Sequence, residues 1–187
     1  MLQKEDLRKA FTFIEPGPVV LLTTRIQNRS NICTISWTMA MDYAEHCHIA
    51  ISTGAWNHSF TTMMKTKECC ICIPAADLAE QAVGIGTVSG TEVDKFSRFH
   101  LTPVKAAAVK APLIQECIAG LECRVIDYID QYGLVILECE QLWADREREQ
   151  EPLLHANGDG TFRVDSRKII NLREQMSKWV PEGSERF

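Results

Sequence analysis

Apolar residues in this chain recur mostly at every second position, and that alternation predicts where the strands lie. Over residues 31–39, Cys33, Ile35, Trp37 and Met39 alternate with Thr34, Ser36 and Thr38. One strand here would turn an apolar face to a core and present three hydroxyls on the other side. The run 47–53 alternates again, with Cys47, Ile49 and Ile51 set against His48, Ala50 and Ser52. Strands are also predicted over 19–25, 68–73 (ended by Pro74) and 162–164. Segments 121–125 and 134–143, joined by the turn Asp130-Gln-Tyr-Gly133, predict an antiparallel hairpin.

The period changes to helical in four places. A short helix is expected over 4–11. Phe60, Met63 and Met64 mark a helix over 60–65 with Ser59 as its N-cap. Leu78, Ala79, Ala82 and Val83 give an apolar side to a helix opened by the capping-box-like Asp77-Leu-Ala-Glu80 and stopped by Gly84 and Gly86. Ile169, Leu172, Met176 and Trp179 mark a terminal helix, within 167–180, expected to pack on the barrel or on a dimer partner. No internal repeat or long low-complexity linker interrupts the series, so residues 1–187 are expected to form a single domain. Many antiparallel strands with a few flanking helices predict a mainly β fold, a closed or partly split β-barrel, because closure removes exposed strand edges.

Composition narrows the partners. The 187 residues are 45% hydrophobic and 24% charged with a formal net charge of −5, and no basic, aromatic-interleaved stripe is present, which argues against nucleic acid. No apolar run reaches the length of a membrane helix, and the first residues lack the basic region and apolar core of a signal peptide; a cytoplasmic location is expected. The eight cysteines fall mostly within apolar runs and contain no CxxC pair, which suits reduced thiols and no metal. The charge run 145–151 reads as a solvated loop or helix end.

The chemistry concentrates between residues 31 and 59. A helix start offers unpaired N–H groups and partial positive charge, which favour a phosphate, and Asn57 and His58 add donors just before Ser59. The strand hydroxyls could meet the polar edge of a ring. Taken singly, each of these residues is better explained by helix capping and β-propensity. The glycine-containing segment 84–90 is no dinucleotide fingerprint, because it closes a helix instead of opening one. Residues 89–96 read as a loop delivering Lys95 and Phe96 to a site.

The ordered set Asn31-x-x-Thr34-x-x-Trp37, Asn57-His-Ser-Phe60, Lys67-Glu-Cys-x-x-x-Ile-Pro74, Ser89-Gly-x-x-x-Asp-Lys-Phe96 and Leu121-Glu-Cys123 resembles the flavin reductase-like family, most nearly its flavoredoxin type. The resemblance implies an FMN-binding split barrel, a homodimer with flavin near the subunit interface, and electron transfer through FMN. It implies that Asn31, Thr34, Ile35, Ser36, Trp37 and Thr38 lie along the flavin, that Ser52, Asn57, His58 and Ser59 meet the ribityl phosphate, and that Lys95 and Phe96 complete the site. NADH or NADPH would be the electron donor, and free flavin, a ferric chelate or a redox protein partner the acceptor; the alternative is a non-catalytic electron carrier. The chain departs from the family at Ala44-Glu45-His46, where relatives commonly carry an Asn/Asp-Pro-Pro turn; His46 and His48 there read as surface or core histidines, with proton transfer during reduction as the alternative.

Overall fold

The computed structural model describes residues 17–42, 47–148 and 150–166, with isolated positions 168, 170, 174 and 175 beyond them. The helices expected at 4–11 and 167–180 and the turn at Ala44-Glu45-His46 lie outside the described residues, those isolated positions apart. Twelve strands are described: β1 Gly17–Pro18, β2 Val20–Ile26, β3 Arg29–Ile35, β4 Thr38–Ala40, β5 His48–Ser52, β6 Glu68–Ile73, β7 Pro103–Val104, β8 Leu113–Ile114, β9 Ala119–Ile129, β10 Leu134–Ala144, β11 Leu154–Ala156 and β12 Phe162–Val164. Three α-helices join them: α1 His58–Thr66, α2 Ala79–Thr87 and α3 Lys95–Arg98.

Seven strands form one antiparallel sheet in the order β3-β2-β6-β9-β10-β5-β4. Its two outermost strands are consecutive in sequence, separated only by Ser36 and Trp37. A link that short spans at most about 11 Å, so the two edges of the sheet must lie close together and the sheet must curl on itself. The result is a barrel with its seam between β3 and β4. Breaks in register between Ile136 and Leu137 and between Cys139 and Gln141 mark bulges in the long β9–β10 hairpin, which help it bend.

Side chains alternate into two cores, one on each face of the curl. Inside lie Val20 and Leu22, Cys33 and Ile35, Ile51, Cys69 and Ile71, Cys123, Val135 and Leu137, joined by Met63 of α1. Outside, Leu21, Ile32, Cys70 and Cys72 meet Leu78, Ala82 and Ile85, together with Phe96 and the connector that carries Leu113 and Ile114. This two-sided burial explains why β2 and β6 read as nearly continuous apolar runs. Strands β1, β11 and β12 make a small separate sheet, and β7 pairs with β8.

Four sequence expectations change. The strand predicted over 31–39 is two strands, because the chain leaves one sheet edge at Ser36 and joins the other at Thr38; Trp37 and Met39 are therefore 54% and 57% exposed instead of facing a core. The cap of α1 is Asn57, whose Oδ1 accepts from the Ser59 N–H at 3.0 Å, while Ser59 sits inside the helix and is fully buried. Asp77 does not cap α2, which continues from a 3-10 turn at Ala76–Leu78 and runs through both Gly84 and Gly86 to Thr87. At Gly84 the Phe99 ring leaves no room for a side chain; an added Cβ would lie 2.5 Å from Phe99 Cε1. The charge run is not simply solvated: Arg148 reaches Asp77 at 2.8 Å, Glu151 at 2.6 Å and the Glu116 carbonyl at 2.6 Å.

The connector between α3 and β9 is held by two buried carboxylates. Glu122 of β9 is fully buried and accepts from the backbone N–H groups of Ala107, Ala108 and Val109 and from Trp143 Nε1. Burial alone would raise its carboxyl, but these donors outweigh it and hold the group below the usual carboxylate value. Glu68 of β6 takes the Lys110 N–H at 3.0 Å.

Candidate functional site

Where β3, the start of α1, the end of α2 and the loop into α3 converge, they enclose a polar cavity of about 290 Å³. Each wall has a local cause. On β3, Asn31, Cys33 and Thr34 face α1 and α2: the Asn31 amide donates to Ser59 Oγ at 2.8 Å, and the Thr34 hydroxyl donates to the Ala82 carbonyl. These bonds fix the strand to both helices. At the start of α1, Asn57 and His58 line the space, with the Asn57 side chain spent on the helix cap. Among the described residues the His58 N–H has no hydrogen-bond acceptor, as expected of a first-turn amide.

Lys95 supplies the charge. The loop ends in the Asp94 cap of α3, whose carboxylate accepts from the N–H groups of Phe96 and Ser97. That turn aims Lys95 inward, where it is 5% exposed and donates from Nζ to the Ile85 carbonyl at 2.8 Å. Burial lowers its ammonium below the ordinary lysine value, partly countered by nearby Cys33. Burial in turn pushes the Cys33 thiol up, against hydrogen bonding to Ser59 and Asn57 and the Lys95 charge. A buried ammonium, a free helix-start amide and several hydroxyl and amide groups on one cavity are the donor set that receives an anion with a polar tail.

The expected residues divide into three groups. Asn31, Thr34, Asn57, His58 and Lys95 line the cavity, and Ser59 stands behind its wall. Ser36, Trp37, Thr38 and Ser52 cluster further along the seam: Thr38 pairs with Ile51, and the Ser52 N–H donates to the Trp37 carbonyl at 3.0 Å. Ile35 and Phe96, each 6% exposed, belong to the inner and outer cores respectively and do not line the cavity. His48 is bonded to Asp42 at 2.6 Å and lies off the cavity. The sequence reading missed Thr87, Ser89 and the Gly86–Gly90 backbone as a wall, and also Trp56 and Cys33. The glycine at 90 was the available signal, because loop backbone approaching a strand closely needs it. At Gly90 an added Cβ would lie 2.1 Å from Asn31 Oδ1.

The sheet closure and the cavity define the class: a mainly β split barrel with a polar site at the seam. Residues 14–162 match the flavin reductase like domain, and the chain belongs to that family. The chain is 24% identical over 181 residues to the uncharacterized protein YddH of Escherichia coli, covering 88% of this chain and 95% of that one. An uncharacterized protein of Archaeoglobus fulgidus is 25% identical over 127 residues, 68% of this chain and 71% of the relative. Among solved structures, an FMN-binding domain of flavin reductases-like enzyme from Shewanella baltica superposes with a TM-score of 0.76 at 21% identity, covering 89% and 95% of the two chains. Flavoredoxin of Desulfovibrio vulgaris superposes with a TM-score of 0.75 at 21% identity, covering 83% and 90%.

Proposed function

We propose that the cavity receives the phosphate and ribityl chain of FMN, and that the protein is an FMN-dependent oxidoreductase. In this reading it takes electrons from NADH or NADPH and passes them to free flavin, a ferric chelate or a protein acceptor. The observation that carries it is the buried Lys95 ammonium facing the same cavity as the start of α1, in a chain of the flavin reductase-like family. Lys95 neutralises the phosphate while the His58 N–H donates to it. The hydroxyls of Thr87 and Ser89 and the Asn31 amide suit the ribityl chain. Past the cavity, Ser36, Trp37 and Thr38 trace the seam along which the ring would lie, with Thr34 at its cavity end, and Ser52 stands beside it on β5. When bound, FMN supplies the redox chemistry that no side chain can; the protein's part is to hold the cofactor and bias its charge. A second copy of the chain is proposed to cover the open seam, giving a homodimer.

An anaerobic absorbance spectrum of the purified protein, before and after NADH or NADPH, tests the assignment. Flavin bands that bleach on addition are expected. Bound flavin that stays oxidised with either nucleotide, but is reduced by a redox protein, leaves the electron-carrier reading in its place. Failure to take up FMN at all removes both.

A further inference from the structure

A second cavity, about 510 Å³, shares Gly90 with the first. Its size is in the range of small-molecule sites, roughly 300–1,000 Å³. Its charge is unlike that of the chain. Arg25, Arg29, Lys105 and Lys110 line it with one carboxylate, Asp94, in a protein whose net charge is −5. Asp94 is already engaged by the cap of α3, taking two backbone N–H groups and the Ser97 hydroxyl. None of the four cations forms an ion pair among the described residues; Arg25 and Arg29 donate only to the carbonyls of Gln27 and Gly90. Four unneutralised cations around one concavity attract a polyanion.

The site is held in place on both sides. Arg25 and Arg29 stand at either end of the tight β2–β3 turn, and are paired with Ser30 and Ile26 across the ladder. Lys105 and Lys110 flank the connector whose amides are gripped by Glu122 and Glu68. Pro103, Val104 and Pro112 add an apolar wall, which suits the face of a base more than it suits a bare inorganic ion. Gly90 lines both cavities, and the Arg29 guanidinium donates to its carbonyl at 3.5 Å.

We infer that this second cavity binds the adenosine-phosphate end of a dinucleotide whose other end reaches the flavin site. The inference rests on reading that first cavity as the FMN site. Two dinucleotides carry such an end, FAD and the nicotinamide donor, and their shared chemistry is what the cations and the apolar wall recognise.

The test is calorimetric titration of FMN-loaded protein with 5′-ADP and with adenosine 2′,5′-bisphosphate. It is repeated on the double variant Lys105→Gln/Lys110→Gln, whose exposed side chains take no part in the flavin cavity. Saturable binding that weakens with salt, and falls about tenfold or more in the double variant, is expected. FMN affinity, read separately from flavin fluorescence, should be unchanged by the variant. Absence of saturable nucleotide binding, equal binding to wild type and variant, or competition by inorganic phosphate as strong as that by ADP overturns the inference. Loss of FMN binding in the wild type instead strikes at the flavin reading, while the nucleotide titration still judges the second cavity. FAD binding more tightly than FMN, with the advantage lost in the variant, identifies flavin adenylate as the occupant. Equal FAD and FMN affinity, with ADP competing against NADPH in the reduction assay, identifies the nicotinamide donor.

Discussion

Lys95 shows how one side chain acquires a role from its surroundings. In the sequence it is one cation in a polar loop; in the fold it is buried against the Ile85 carbonyl and faces the cavity. Replacing it with methionine keeps the stem and removes the charge. Lys95→Met is expected to weaken FMN binding by about 10- to 100-fold, the equivalent of one lost charge-assisted hydrogen bond, with little loss of fold. Flavin fluorescence quenching measures the first effect and thermal melting the second. Glu122 is the opposite case, a charge with a structural task. Its carboxyl is held low, so its contribution is complete above the ordinary carboxylate value of about 4.3 and is lost as pH falls through the lower folded-state value. Glu122→Gln is expected to cost about 2–3 kcal/mol near neutrality, because an amide cannot accept from all the donors gathered there. Denaturant melts across pH should show the variant with a flatter acid limb than the wild type.

At the scale of elements, the site is a junction between strand, helix and loop, and its fit depends on how closely the loop passes. Gly90 brings the 87–95 segment against Asn31, whose amide in turn holds Ser59. Gly90→Ala is expected to displace that amide and cost about 1 kcal/mol for the bond to Ser59, with FMN affinity falling alongside stability. Urea melts and flavin titration of the same variant check both. The elements themselves were unequally legible. The 121–143 hairpin follows from alternation, since it faces a core on at least one side, and residues 68–73 follow from a short apolar run ended by Pro74. Residues 31–39 keep an unbroken alternation across two strands, because a polarity pattern does not record which neighbour a strand pairs with. Ser59 looked like a cap for a similar reason. Asn57 and Ser59 are both good capping residues, and only the backbone path decides which one stands outside the helix.

For the whole molecule, the question is what the open seam does. Trp37, Met39 and Met41 are all exposed beside it, and β4 is an edge strand of the sheet among the described residues. In the homodimer reading a second copy covers this edge. Met39→Lys is then expected to shift the protein toward monomer in sedimentation velocity and to loosen flavin binding with it; an unchanged sedimentation coefficient would place the partner surface elsewhere. The family was legible from motifs spread along the chain, because each marks a bend or contact that the barrel needs. The second cavity was not, since Arg25, Arg29, Lys105 and Lys110 come from distant segments and meet only after closure. The connector bearing the two lysines has a further property. Its amides at Ala107, Ala108 and Val109 belong to no strand, yet they point into a carboxylate on β9, the middle strand of the seven-stranded sheet. In deuterium oxide they should therefore exchange on the slow timescale of the sheet, so that a surface loop reports the opening of the barrel wall beneath it.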